Sequence, residues 1–275
     1  MPPQINNPWF GYNREKQVLV KILRNVVDQS QAMLLFGPPK NGKSALALYC
    51  QKMAPGAILS FISCNVEANA KTLSLSCSRI QNLMHQVPIR SGVRLIVFLD
   101  EVDTVAVRRD ASTRHLTFHC QSLMGLIDVA KEDPGIFLIL CTNCPDILDN
   151  AITSRCLEAL YLSYPTEEVL QEALIYCGYT PQKGSAVAKR WICLMSERGW
   201  WTGSQIVPVI LSNARSIQRF TVTKIAEQLD RLVPGLRVND FIQYELDNWP
   251  AIEASRRTLE RFGVNPRVHH NLHCV

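Results

Sequence analysis

No stretch of the chain approaches 18 uninterrupted apolar residues, so a membrane-inserted helix is not expected. The opening Met1-Pro-Pro-Gln-Ile-Asn-Asn-Pro8 has neither a basic flank nor an apolar run, so no signal peptide is expected. Strong charge of one sign is missing too: 29 Lys and Arg against 24 Asp and Glu leave a net charge of +5. That permits contact with an acidic partner but lacks the dense basic stripe of a dedicated nucleic-acid binder. Internal repeats and low-complexity segments are also absent.

Ten cysteines are present, yet they are scattered through apolar stretches and form no framework. With no leader expected, that pattern favours reduced thiols and a cytoplasmic setting, or the nucleus if the chain is eukaryotic. Cys141-x-x-Cys144 has metal-ligand spacing without a second pair, so it reads as packing rather than zinc. His269, His270, His273 and Cys274 cluster in a tail unsuited to a structural metal site. Trp191, Trp200, Trp201 and Trp249 read as core or interface residues rather than stacking platforms.

What is present is a chain of 275 residues, 47% apolar, long enough for one large or two modest domains. Helical spacing runs through Val18, Leu19, Ile22, Leu23, Val26 and Val27, predicting a helix over 13–28. Met33–Phe36, Ala57–Ile62, Leu95–Leu99 and Ile136–Leu140 are short apolar runs that read as buried strands. Stretches 74–86 and 114–130 have helical pattern, and the alternation implies a parallel sheet covered on both faces. After Pro165 only helices are expected, over 166–176, 184–197, 203–217 and 237–247, with another starting at Pro250.

Gly37-Pro38-Pro39-Lys40-Asn41-Gly42-Lys43-Ser44, followed by Ala45, matches G-x-x-x-x-G-K-S between a strand and a helix. The glycines let backbone N–H groups curl round phosphates, and the following helix points its positive end at them. Lys43 would reach the β- and γ-phosphates of ATP, and Ser44 would offer its hydroxyl to Mg²⁺. The apolar run ending at Asp100-Glu101 brings two carboxylates to the end of a strand, where parallel sheets bind ligands. Asp100 would hold Mg²⁺, and Glu101 would polarise the attacking water. A second buried run ends at Thr142-Asn143. Asn143 would hydrogen-bond the γ-phosphate or that water, or it merely ends a strand.

These motifs, followed by Leu148-Asp-Asn-Ala-Ile-Thr-Ser-Arg155, resemble the AAA+ ATPases. More narrowly they resemble the AAA group containing the ESCRT-disassembling ATPase, katanin and spastin. Gly11-Tyr12-Asn13-Arg14, Asp100-Glu-Val-Asp103, Thr202-Gly203-Ser204-Gln205 and Val238-Asn-Asp-Phe241 carry the narrower likeness, over roughly residues 9–263. The resemblance implies a P-loop NTPase three-layer α/β sandwich with a five-stranded parallel sheet, followed by a small all-helical lid. The expected division is a linker over 1–12, the nucleotide-binding domain over 13–165, the lid over 166–263 and a flexible tail over 264–275. It further implies a homo-oligomeric ring, usually hexameric, in which Arg155 reaches the neighbouring subunit's site as an arginine finger. Without that context Arg155 is an ordinary surface arginine. Tyr12 would contact adenine, and Gly203 and Ser204 would face the nucleotide from the lid.

Two departures bear on the substrate. Ser154 stands where the group has a second arginine, and Ser154-Arg155-Cys156 looks like the motif of clamp-loader subunits. Ala70-Lys71-Thr72-Leu73 occupies the first pore-loop position with no aromatic residue, although protein-threading rings grip with one. Arg108, Arg109 and Arg114 lie where a second pore loop falls, to meet an acidic peptide, a phosphate backbone or only solvent. The expectation is an ATP-hydrolysing ring that remodels proteins or protein complexes. The alternative is a nucleic-acid ATPase of clamp-loader or helicase-loader type.

Overall fold

The structure is a computed structural model that describes residues 10–24, 32–39, 41–54, 56–64, 82, 95–108, 117–133, 135–156, 158–163, 166–197 and 238–265. Lys40, Ala70–Leu73, Arg109, Arg114, Pro165, Gly203, Ser204, the helix expected over 203–217 and the tail histidines lie outside these residues. The chain divides into two compact units. One comprises Asn13–Phe36, Tyr49–Tyr161 and Pro250–Val275; the other comprises Met1–Tyr12, Gly37–Leu48 and Leu162–Trp249.

The first unit is built on a sheet of five parallel strands: β1 (Ala32–Phe36), β2 (Ile58–Ser63), β3 (Leu95–Asp100), β4 (Ile136–Thr142) and β5 (Glu158–Tyr161). Their order is β2-β3-β4-β1-β5. Every residue of β1 and β4 is buried, as are the first five of β3. That is the continuous apolar pattern of strands covered on both faces. α1 (Asn13–Arg24) buries Val18, Leu19, Ile22 and Leu23, the face its spacing predicts. α2 (Lys43–Met53) starts at the lysine of the glycine-rich loop. α3 (Thr117–Glu132) turns Cys120, Leu123, Ile127 and Ala130 inward and packs on β4 and β1.

Two features of the sheet depart from expectation. Among the described strands β2 pairs with β3 alone, and its Ile58 and Phe61 are exposed rather than buried. β5 was not legible as an apolar run, because only four residues form it and the first is Glu158. It is secured from outside by α8 (Trp249–Arg261), the last helix described here. Ser255 Oγ accepts from Tyr161 N at 2.8 Å, Thr258 Oγ1 accepts from Ala159 N at 3.2 Å, and Arg261 pairs with Glu158. Alternate N–H groups of an edge strand point away from the sheet, and here a helix covers them. Residues 250–265 group with the sheet unit.

In the second unit α5 (Glu167–Tyr176) and α6 (Pro181–Glu197) pack as a hairpin. The short α4 (Asn150–Thr153) belongs to the first unit. α5 ends in a Schellman turn: Gly178 has φ 94°, and Tyr179 N bonds Leu174 O at 3.1 Å. α6 begins at Pro181, three residues before the expected start, because proline is favoured in a helix's first turn. α7 (Val238–Asp247) falls within a residue of its expected limits.

Candidate functional site

Gly37 has φ 150° and lies beside Leu162 O, so close that a Cβ there would stand 2.2 Å from that oxygen. Only glycine fits. Gly42, at φ 91°, makes the second turn of the loop and leads directly into α2. Lys43 is buried at the first position of that helix. Its Nζ donates to Gly37 O at 2.8 Å, to Pro38 O at 2.7 Å and to Asn41 Oδ1 at 3.2 Å. A buried ammonium must be hydrogen-bonded throughout. The loop therefore wraps its own cation at a helix N-terminus, the end that attracts anions. Pro39 and Ser44 are exposed, while Asn41 and Pro38 are buried and Ala45 is half-buried.

In the same unit, Gly11 and Tyr12 both adopt left-handed backbone, φ 67° and 53°. Gly11 N donates to Glu172 Oε2 at 2.6 Å, and Tyr12 OH donates to Ser163 O at 2.6 Å. A Cβ on Gly11 would meet Val169 Cγ2 at 2.1 Å, so this position also needs glycine. Phe10 meets Tyr176 edge-on, with ring centroids 5.5 Å apart. The segment before α1 is thus pinned along α5.

The sheet unit carries the acidic and polar residues. Register sets Asp100 beside Ser63 of β2, and Asp100 O accepts from Cys64 N at 2.9 Å. Phe36, from which the chain enters the glycine-rich loop, pairs with Thr142 of β4. Asp100 Oδ1 accepts the N–H of Glu101 at 3.0 Å. Glu101 itself is left-handed at φ 56° and starts a 3-10 turn over Val102–Thr104. A non-glycine residue there carries roughly 1–3 kcal/mol of strain, which concentrates at functional positions. Nothing in the sequence signals that strain. Thr104 holds it, donating N–H and Oγ1–H to Glu101 O at 3.0 and 2.8 Å.

Asn143, just past β4, is only half-exposed, and its Oδ1 is buried with no hydrogen-bond partner among the described residues. An acceptor left so requires an explanation, and a bound water or ligand supplies one. Arg155 follows α4, which Asp149 caps by accepting from Ala151 N at 2.8 Å. Its Nε donates to Asp128 Oδ1 at 3.2 Å and its Nη1 to Ala151 O at 2.8 Å. Burial pushes the neighbouring Cys156 thiol up to about 12, against the pull of Lys131, and Cys50 likewise to about 12. Neither is a ready thiolate. Among the described residues no helix is long and apolar enough to cross a membrane, and no three His, Cys, Asp or Glu side chains form a metal cluster. The Ser44 hydroxyl and the Asp100 carboxylate are each hard oxygens of the kind that Mg²⁺ takes.

A glycine-rich loop wrapped round a lysine at a helix start, reached from the end of a parallel strand, defines a P-loop α/β nucleotide-binding protein. Residues 33–164 match the family model "ATPase family associated with various cellular activities (AAA)". It is 26% identical over 220 residues to the ATP-dependent zinc metalloprotease FTSH 6, chloroplastic, of Oryza sativa subsp. japonica, covering 75% of this chain and 31% of that protein. It is 24% identical over 219 residues to human vacuolar protein sorting-associated protein 4A, covering 77% and 49%. The latter falls in the group that the sequence resembles. The chain thus spans a third to a half of the length of these relatives. A chain of the E. coli MS115-1 HORMA:CdnC:Trip13 complex matches with a TM-score of 0.61 at 17% identity, over 83% of this chain and 90% of that one, a likeness of fold.

Proposed function

We propose that the chain binds and hydrolyses ATP as one subunit of a homo-oligomeric, hexameric ring that remodels or disassembles proteins or protein complexes. The observation that carries the reading is the buried Lys43 ammonium, wrapped by loop carbonyls at the start of α2. Phosphate oxygens attract it more strongly than neutral carbonyls do. Ser44 and Asp100 would each offer an oxygen to Mg²⁺, which would neutralise developing phosphate charge. Glu101 accepts the proton of the attacking water, and Asn143 Oδ1 accepts a hydrogen bond that orients it. The bond from the γ-phosphorus to the bridging oxygen breaks as the water oxygen attacks, releasing ADP and phosphate. Tyr12 would contact adenine, and Gly203 and Ser204, which lie outside the described residues, would meet the nucleotide as the resemblance implies. The protein substrate is inferred from the relatives' kind, and a cytoplasmic location accompanies it.

Steady-state ATP turnover, measured alone and with DNA, RNA or a fractionated protein extract, tests this. Stimulation by a protein fraction supports it. Stimulation by nucleic acid alone replaces the remodelling reading, and no turnover under any condition ends the ATPase reading.

A further inference from the structure

The Asn41 amide makes two contacts that holding a phosphate does not require. Its Oδ1 accepts from Lys43 Nζ at 3.2 Å, and its Nδ2 donates to Leu162 O. Asn41 is buried, and Gly37 makes room for the meeting: a Cβ on Gly37 would also stand 2.5 Å from Asn41 Nδ2. Leu162 and Ser163 are the residues by which the chain leaves β5 on its way to α5. Ser163 O is held in turn by Tyr12 OH at 2.6 Å, and Gly11, next to Tyr12, donates to Glu172 on α5.

We propose that Asn41 is a positioning residue that relays phosphate occupancy at Lys43 to Leu162–Ser163, and through them to α5. The inference rests on reading Gly37–Ser44 as an ATP site. A phosphate oxygen competes with Gly37 O, Pro38 O and Asn41 Oδ1 for the same ammonium protons, and a charge-assisted bond prevails over a neutral one. When Lys43 turns to phosphate, the acceptor end of the Asn41 amide loses its partner. The donor end belongs to the same rigid amide plane, so its bond to Leu162 O changes with it. Aspartate at this position would keep the acceptor and lose the donor, which separates the two ends experimentally.

The test is hydrogen exchange of the full chain across residues 161–176, with and without a non-hydrolysable ATP analogue, beside a calorimetric titration of the same analogue. Wild type is expected to show a nucleotide-dependent change there. Asn41→Ala and Asn41→Asp should still bind the analogue, the alanine variant within about tenfold of wild type, the worth of one or two hydrogen bonds. Both should reduce the nucleotide-dependent change to less than about a third. A purely structural role would raise exchange equally in both states and leave their difference intact, which overturns the relay. If Asn41→Ala does not fold, Asn41→Asp carries the comparison alone. Loss of binding beyond about a hundredfold in both variants makes Asn41 a ligand-binding group and also overturns it, since a lost hydrogen bond explains far less. A wild type that binds no nucleotide removes the ATP-site reading itself. One that binds without any change over 161–176 removes only the relay.

Discussion

Thr142 Oγ1 donates a 2.5 Å hydrogen bond to Asp103 Oδ1, and the same oxygen accepts from Cys144 N at 2.9 Å. One buried hydroxyl thereby joins the end of β4 to the turn after β3, the two segments that carry Asn143 and Glu101. Thr142→Val keeps the shape and removes both bonds, leaving an acceptor and an N–H unmatched. It should lower unfolding free energy in urea by about 1–3 kcal/mol, and Thr142→Ser should recover most of the loss. Equal midpoints for the valine and wild-type proteins would show that this link adds no stability.

Lys43→Ala removes the cation that the glycine loop encloses. Calorimetric titration should show ATP affinity falling by at least about a hundredfold, as expected for a buried charge-assisted contact. Unchanged affinity would mean that Gly37–Ser44 is a turn with no phosphate role.

Glu101→Gln preserves the left-handed start of the 3-10 turn, since Thr104 and Asp100 bond its backbone rather than its side chain. It should keep ATP bound while slowing hydrolysis by roughly 10²–10⁴, because an amide does not accept the proton. Near-normal turnover would assign the water to another residue.

Glu158 yields a pH signature unrelated to nucleotide. Burial raises its carboxyl above the usual 4.5, with Arg261 and Thr258 pulling back. The folded chain then holds this proton more tightly than the unfolded one. The contribution to stability is full below the unfolded value and is lost as pH rises through the higher folded value. Against Glu158→Gln, which does not titrate, wild type should lose relative stability as pH rises above an ordinary glutamate's pKa of about 4.3. Denaturation at several pH values checks the slope; a wild type that gains on the variant would show the Arg261 pair outweighing burial.

How much the sequence revealed follows the range of the physics involved. The glycine loop was legible because Gly37 and Gly42 answer local backbone demands, and β1, β3 and β4 because full burial needs an unbroken apolar run. β5 was not, since Glu158 gains its partner Arg261 from 103 residues away. For the same reason the small hydroxyls of Ser255 and Thr258 gave no sign that α8 covers a sheet edge. The Asn41 amide and the backbone of Glu101 look like ordinary loop positions until the fold brings Leu162 and Thr104 to them.

Arg155 decides whether the chain works as a ring. In its own subunit it bonds Asp128, a pair with both side chains partly exposed. Such a pair is worth at most about 1 kcal/mol, so the Asp128 contact by itself is a weak hold on the guanidinium. Arg155→Ala should leave ATP binding by the isolated subunit unchanged and lower turnover by roughly 10³ or more, the usual worth of an arginine finger. A finger acts in trans. Mixing Arg155→Ala with Lys43→Ala protein should therefore restore part of the activity, because some interfaces then join an intact loop to an intact arginine. Asp128→Asn, which weakens the in-chain hold, should not reduce turnover and is the control for a merely structural arginine. Activity per subunit should also rise with protein concentration as rings assemble. If it does not, and Arg155→Ala is silent, each chain holds a complete site and the ring reading fails.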